Sequence, residues 1–349
     1  MKYKIVSTAA ALLASTAIAS AGGIDRTGQS IDLLFEDGTV TEFSLAFVMP
    51  SVSEDLTDEE MAPNYALFSG GFKMDYGSNM SIALLFDQPF GALADYPLTS
   101  AYPGLSADLQ TSNLTALLGY DFTDNIMVYG GVAAQMTTAE ATVAPVGAID
   151  VEGSTGFGFV VGAAYQIPEY ALRVSLTYRS DIDSTHDTTY NGVAVPDTTF
   201  TTPQSVNLDF QTGVNEKTLV FGSVRWVNWS AIDITASDAP VAATLVDYDL
   251  DTINYEIGVG RKFTDQLSGA LSVGYESSDG ELASALSPTD GRTSIGLALI
   301  YNVDGNTEIT GGARYTWLGD TEAGHPLLGA VPFSDNTAVA FGISIKRTF

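Results

Sequence analysis

The sequence predicts an all-β protein, a 14-stranded antiparallel transmembrane β-barrel with a short N-terminal hatch segment. Three observations carry this reading. Stretches of about ten residues alternate apolar and polar side chains, the period-two signature of a membrane strand. The connections between them alternate short and long. The last stretch, with Val339, Phe341, Ile343 and Ile345 in one phase, ends on an aromatic, Phe349.

Composition narrows the function classes. The 349 residues carry 42 acids against 14 Lys and Arg, a formal charge of −28, yet 45% are hydrophobic and only 16% charged. Disorder requires low hydrophobicity beside high net charge, so the chain is not a disordered tail. Its charge repels phosphate backbones and argues against nucleic-acid partners. Without cysteine there are no disulfides, thiolate ligands or thiol nucleophiles. With only His186 and His325, imidazole metal sites and triad chemistries are disfavoured, and no metal, cofactor or catalytic residue is assigned.

Residues 1–21 read as a signal peptide: Lys2 and Lys4, an apolar run from Ile5 to Ala14, and Ala19-Ser20-Ala21 as the cleavage site. Residues 22–39 form the hatch or plug segment, with Ile24, Ile31, Leu33, Leu34 and Phe35 as the side chains that pack against the lumen; a loosely ordered tail is the alternative. Residues 40–349 form the barrel. No run of 18 apolar residues follows the signal, which excludes spanning helices.

The strand segments are 40–52, 65–76, 79–89, 105–121, 125–142, 152–167, 170–184, 200–213, 217–229, 247–263, 267–279, 292–303, 306–318 and 337–349. Six connections are short, such as Tyr76-Gly77-Ser78 and Asp304-Gly305-Asn306. Seven are long: 53–64, 90–104, 143–151, 185–199, 230–246, 280–291 and 319–336. Outer-membrane barrels have short periplasmic turns and longer outer loops, so fourteen strands with both ends periplasmic need six and seven of these. A soluble β-sandwich also alternates, but gives no reason for connections to alternate in length. Tyr120, Tyr165, Tyr178, Trp226, Tyr275, Tyr301, Tyr315 and Trp317 lie at strand ends, as interfacial girdles require.

Several segments resemble the FadL/TodX family of outer-membrane long-chain fatty acid and hydrocarbon transporters. They are Gly156–Gln166, Tyr178-Arg179-Ser180-Asp181-Ile182-Asp183, Val224–Ser230 with its Trp226-Val227-Asn228-Trp229-Ser230, and Pro89-Phe90-Gly91. The resemblance implies an N-terminal hatch inside the barrel, capture of hydrophobic ligands near the outer loops, and sideways exit at an inward kink of the third strand. Proline donates no ladder hydrogen bond and glycine bends freely, which makes Pro89, Phe90 and Gly91 the kink candidate; the alternative is a strand that simply ends at Pro89. The family's hatch is longer and carries an Asn-Pro-Ala stretch that is missing here. A terminal aromatic resembles the assembly signal of outer-membrane proteins, which gives Phe349 the barrel-assembly machinery as its partner.

Alternation places Arg173, Arg179, Phe221, Arg225, Trp229 and Arg314 in the lumen as ligand-binding candidates, since a guanidinium beside rings can hold a carboxylate head group. The competing reading pairs these arginines with lumen acids such as Asp181, Asp209, Glu256 or Glu308. The acidic stretch Ser53–Glu60 lacks a calcium-loop spacing and reads better as a solvated loop than as a cation site. The expected function is passive uptake of hydrophobic small molecules, with outer-membrane lipid and lipopolysaccharide as surroundings. The alternative is a general diffusion porin with an aqueous channel.

Overall fold

The computed structural model describes residues 24–349 except 144–146, 232, 237–242, 248–250, 279, 281 and 326; the signal segment lies outside the described residues. Period-two alternation produces the wall. Its first staves are β1 (Val40–Ser51), β2 (Tyr65–Tyr76), a broken third stave of β3 (Met80–Asp87) and β4 (Gly91–Asp95), β5 (Ser106–Thr123), β6 (Ile126–Val143) and β7 (Gly147–Ile167). Two further broken staves follow, β8 (Leu172–Arg179) with β9 (Ile182–Tyr190), and β10 (Val193–Thr202) with β11 (Ser205–Asn215). After β12 (Thr218–Val227), β13 (Asp233–Ala236) and β14 (Ala243–Asp247) form a hairpin outside the wall. Then come β15 (Thr252–Lys262), β16 (Leu267–Glu276), β17 (Arg292–Asn302) and β18 (Thr307–Leu318). The loop hairpin of β19 (Thr321–His325) and β20 (Gly329–Phe333) precedes the last stave, β21 (Thr337–Thr348).

Neighbouring staves pair antiparallel, and β21 pairs with β1 from Thr337↔Ser51 to Thr348↔Val40, closing fourteen staves into a barrel. Closure removes the sheet edges, so the backbone can satisfy its hydrogen bonds without water. The two faces are of opposite character. Phe43, Leu45 and Phe47 on β1, Ile295, Leu297 and Leu299 on β17, and Phe341, Ile343 and Ile345 on β21 are exposed on the outside. Thr115, Gln135, Ser175, Ser272, Thr310 and Ser344 are buried on the inside. An oily exterior around a polar interior is stable only where the exterior meets lipid.

Three long connections expected from the sequence hold wall strands, the first being 90–104, which contains β4. β6 and β7 extend to Val143 and from Gly147, and β9 and β10 meet at a two-residue turn, so 185–199 is not a loop. That turn is Asn191-Gly192, with φ of 49° and 75°, the pair of positive values a tight hairpin demands. β10 is exposed on most of both faces, so water lies on either side and alternation carries no signal there. Pro196 is accommodated at a register shift between Val195 and Thr198. His186, expected in a loop, is a buried β9 residue bonded to Ser184 Oγ at 2.7 Å and the Glu152 carbonyl at 2.8 Å.

At the long-loop end, Val52, Met61, Tyr96, Tyr102, Ala323, Val331 and Phe333 share one apolar cluster that folds the connections after β1, β4 and β18 into a cap. Tyr96 Oη donates to the Ala285 carbonyl at 2.6 Å and Tyr102 Oη to that of Ala323 at 2.9 Å. The fully buried Glu54 carboxylate accepts the N–H groups of Leu56, Thr57 and Ala101 and the Thr57 hydroxyl. Burial pushes the Glu54 carboxyl up, and these donors outweigh it, holding the group below the usual carboxylate range. At the other end, Phe349 follows β21, exposed, with its N–H on the Thr39 carbonyl at 2.9 Å.

Candidate functional site

The third stave breaks at Gln88-Pro89-Phe90 and then resumes as β4, so the wall continues past position 89, where the sequence ended the third strand and began the 90–104 connection. The break opens the wall. β2 pairs with β3 only as far as Gly70↔Phe86, whereas it pairs with β1 to Tyr65↔Val48. β4 pairs with β5 alone. Among the described residues, the stretch of β2 from Ala66 to Ser69 therefore faces no strand on its β4 side. One donor of that edge is met by a side chain: Phe68 N–H donates to Gln88 Oε1 at 2.8 Å.

The kinked residues turn inward and pair with the N-terminal segment. Pro89, which has no N–H to lose, offers its carbonyl to the N–H groups of Arg26 and Thr27 at 2.7 and 3.3 Å. Gly91 N–H donates to the Ile24 carbonyl at 2.9 Å, and Asp25 bridges Phe90. Thr111 on β5 receives the Phe90 N–H at 2.8 Å and donates its hydroxyl to the Phe90 carbonyl. The Phe90 ring meets the fully buried Trp229 edge-on, centroids 5.7 Å apart, in a cluster with Ile24, Leu109, Phe200 and Val227. Trp229 lies past the end of β12 in a short 3-10 turn and not on the strand that its phase with Phe221 and Arg225 implied.

The rest of the segment crosses the lumen. Ile31, Leu33 and Leu34 pack with Val40, Ala83, Leu117, Met127 and Val160, and the Phe35 ring meets Tyr129 at 5.8 Å. A 3-10 turn over Asp32–Phe35 presents these side chains. Polar anchors come from far along the chain. Arg225 Nε holds Asp25 Oδ2 at 2.7 Å, and its Nη2 holds Gln29 Oε1 at 3.1 Å. Arg173 pairs with Asp32 and stands over Phe35 at 4.4 Å. Arg179 donates to the Gln29 carbonyl at 2.9 Å, Asn207 to that of Gly28 at 2.8 Å, and Lys346 pairs with Glu36 at 3.0 Å.

These contacts place the six lumen candidates. Arg173, Arg179 and Arg225 grip the N-terminal segment. Arg314 pairs with Glu256 at 2.9 Å and donates to Ser294 Oγ at 2.9 Å. Phe221 packs among Leu219, Ala270, Ala298 and Ile300, and Trp229 lies under Phe90. Several cavities adjoin the segment among the described residues. One of about 90 Å³ reaches the wall break through Ser69, Gly70, Phe86 and Asp87. One of about 70 Å³ lies toward β11, β12 and β15, lined by Arg173, Asp209, Arg225 and Glu256. A third, of about 50 Å³, lies under the cap beside Arg26, Tyr65 and Gly91. Sequence reasoning did not single out Gln88, which it read as an ordinary residue of the 79–89 strand, or Arg26, which lies outside any alternating run.

No family model and no curated protein matches the sequence. Solved structures do match the fold. A Pseudomonas aeruginosa FadL homologue aligns with a TM-score of 0.72 at 14% identity, covering 91% of this chain and 92% of that one. The Ralstonia pickettii toluene transporter TbuX aligns at 0.68 and 15% identity over 96% and 97%. The P. putida toluene transporter TodX aligns at 0.68 and 13% identity over 91% and 92%. A wall broken in its third stave, with an N-terminal segment paired to the broken residues from within, thus belongs to a chain whose fold is that of the FadL/TodX barrels.

Proposed function

We propose that the protein is a passive outer-membrane transporter of hydrophobic small molecules, with long-chain fatty acids as substrates and lateral release into the membrane. The observation that carries this reading is the break at Gln88–Phe90: among the described strands, β3 pairs with β2 only as far as Gly70↔Phe86, and β4 pairs with β5 and not with the Ala66–Ser69 stretch of β2. Sideways release has a physical rationale. Each methylene kept out of water saves about 0.8 kcal/mol, so a long acyl chain passes far more cheaply from lumen to lipid than into an aqueous compartment. The FadL homologue and toluene transporters that share the fold support hydrophobic cargo. In this reading Pro89, Phe90 and Gly91 form the exit, the 24–39 segment is the hatch, and Phe349 is the signal read by the barrel-assembly machinery.

The polar lumen favours a second reading, a general porin, since Thr115, Gln135, Ser272 and Thr310 line it. Two measurements separate the readings. Uptake of labelled oleate is compared between a deletion strain and the complemented strain, and conductance is recorded in planar bilayers. The transporter reading predicts restored uptake with little steady current. A large steady current without oleate uptake overturns it in favour of the porin.

A further inference from the structure

The arginines on the barrel wall that grip the N-terminal segment are already committed to it, but one guanidinium on that segment is not. Arg26 is 7% exposed, and among the described residues it forms no ion pair. Asp108 acts on it only through space, its carboxylate being held by Gln110 Nε2 at 3.0 Å. The guanidinium lies over the Tyr65 ring, 4.3 Å from the centroid, and against Gly91, where a Cβ would stand 2.5 Å from its Cζ. Tyr65 is the first residue of β2 and Gly91 the first of β4, two strands that do not pair with each other among the described residues, so Arg26 spans the wall break from inside. Stacking uses the face of the guanidinium and leaves its in-plane N–H donors available. Around it, the cavity under the cap is lined mainly by apolar groups, among them Pro50, Val52, Met61, Leu93, Leu286 and Pro288.

We propose that Arg26 is a carboxylate-binding residue: it holds the head group of a long-chain monocarboxylate at the wall break while the first methylenes occupy the apolar chamber. The proposal rests on the transport reading above and specifies its substrate class. A buried cation is costly unless paired, and a planar carboxylate matches the fork of a guanidinium. One cation within a chain of charge −28 suits a monoanion and disfavours a dianion. A neutral hydrocarbon brings no charge to pair with Arg26, so the residue favours fatty-acid over hydrocarbon cargo. Because Arg26 and Thr27 share the Pro89 carbonyl, a ligand on Arg26 also touches the segment that holds the kink.

The test compares oleate with oleyl alcohol, which has the same tail and no charge. Binding of each to the purified full-length barrel in detergent is measured for wild type, Arg26→Met and Arg26→Lys, with folding checked by heat-modifiable gel mobility. Wild type is expected to prefer oleate at least tenfold, Arg26→Met to bind both probes alike, and Arg26→Lys to keep part of the preference. Equal binding of the two probes by wild type, or a preference unchanged in Arg26→Met, overturns the carboxylate role and leaves hydrophobic transport standing. Failure of wild type to bind either probe overturns the transport reading itself. Should Arg26→Met fail to fold, Gly91→Ala pushes the guanidinium aside from its other neighbour and must lower the oleate preference, or the proposal fails.

Discussion

Replacing Arg225 by Met releases the N-terminal segment at its most heavily bonded anchor. Arg225 binds Asp25 at 2.7 Å, Asn207 at 2.7 Å, Gln29 at 3.1 Å and Ser205 at 3.2 Å. The Asp25 side chain is only 14% exposed, so removing its partner strands a carboxylate away from water. Breaking a buried pair from one side costs about 3–5 kcal/mol. At 1.4 kcal/mol per decade, that raises the undocked population roughly a hundredfold or more. The double variant Asp25→Asn with Arg225→Met removes both charges of the pair, so neither is stranded, and it recovers much of this loss. The chain has no cysteine, so Gly28→Cys reports alone; no atom lies within 4 Å of where its Cβ would stand. A bulky maleimide should label Gly28→Cys faster in the Arg225→Met background, and bilayer current should rise with it. Unchanged labelling and current in a folded Arg225→Met barrel would refute the claim that this ion pair holds the segment in place.

Other perturbations follow from the same geometry. Gln88→Ala removes the acceptor of the Phe68 N–H at the wall break; oleate release into vesicle lipid should quicken several-fold with barrel stability unchanged. Trp229→Ala takes away the ring beneath Phe90 and should destabilise the barrel by about 3–5 kcal/mol, seen in urea titrations of gel mobility. For the cap, the Glu54 carboxyl sits below its ordinary value when folded. Its contribution is therefore complete above the usual carboxylate range and is lost as pH falls through the lower folded value. Protease resistance of the 53–64 connection should hold from pH 7 to about pH 5 and drop only in stronger acid. In Glu54→Gln it should be reduced at every pH.

The wall was legible in sequence because lipid outside and polar groups inside force a period of two, as in Ile295 to Tyr301 and Phe341 to Ile345. The signal faded where that asymmetry ends. β10 is exposed on most of both faces, and β9 from Asp183 to Thr189 is polar on both its buried and its exposed face, so 185–199 reads as a loop. Trp229 continued the phase of Phe221 and Arg225 on paper, but β12 stops at Val227 and a 3-10 turn redirects the ring toward Phe90. Pro89-Phe90-Gly91 was readable as a break because proline and glycine act locally. What the break faces was not, since Asp25 meets Arg225 across 200 positions and Asp32 meets Arg173 across 141. Arg26 lies outside any alternating run, and only three-dimensional placement shows it between Tyr65 and Gly91.

Where cargo leaves the barrel is tested most directly by photolabelling. A fatty acid carrying a diazirine on its tail is given to the protein in vesicles, irradiated during uptake, and the labelled residues are mapped. Sideways exit predicts adducts on the edges of the wall break, at Phe68, Gln88 and Leu93. Adducts confined to the far cavity, at Asn207, Asp209 and Glu256, would show a ligand running the length of the lumen and would contradict it.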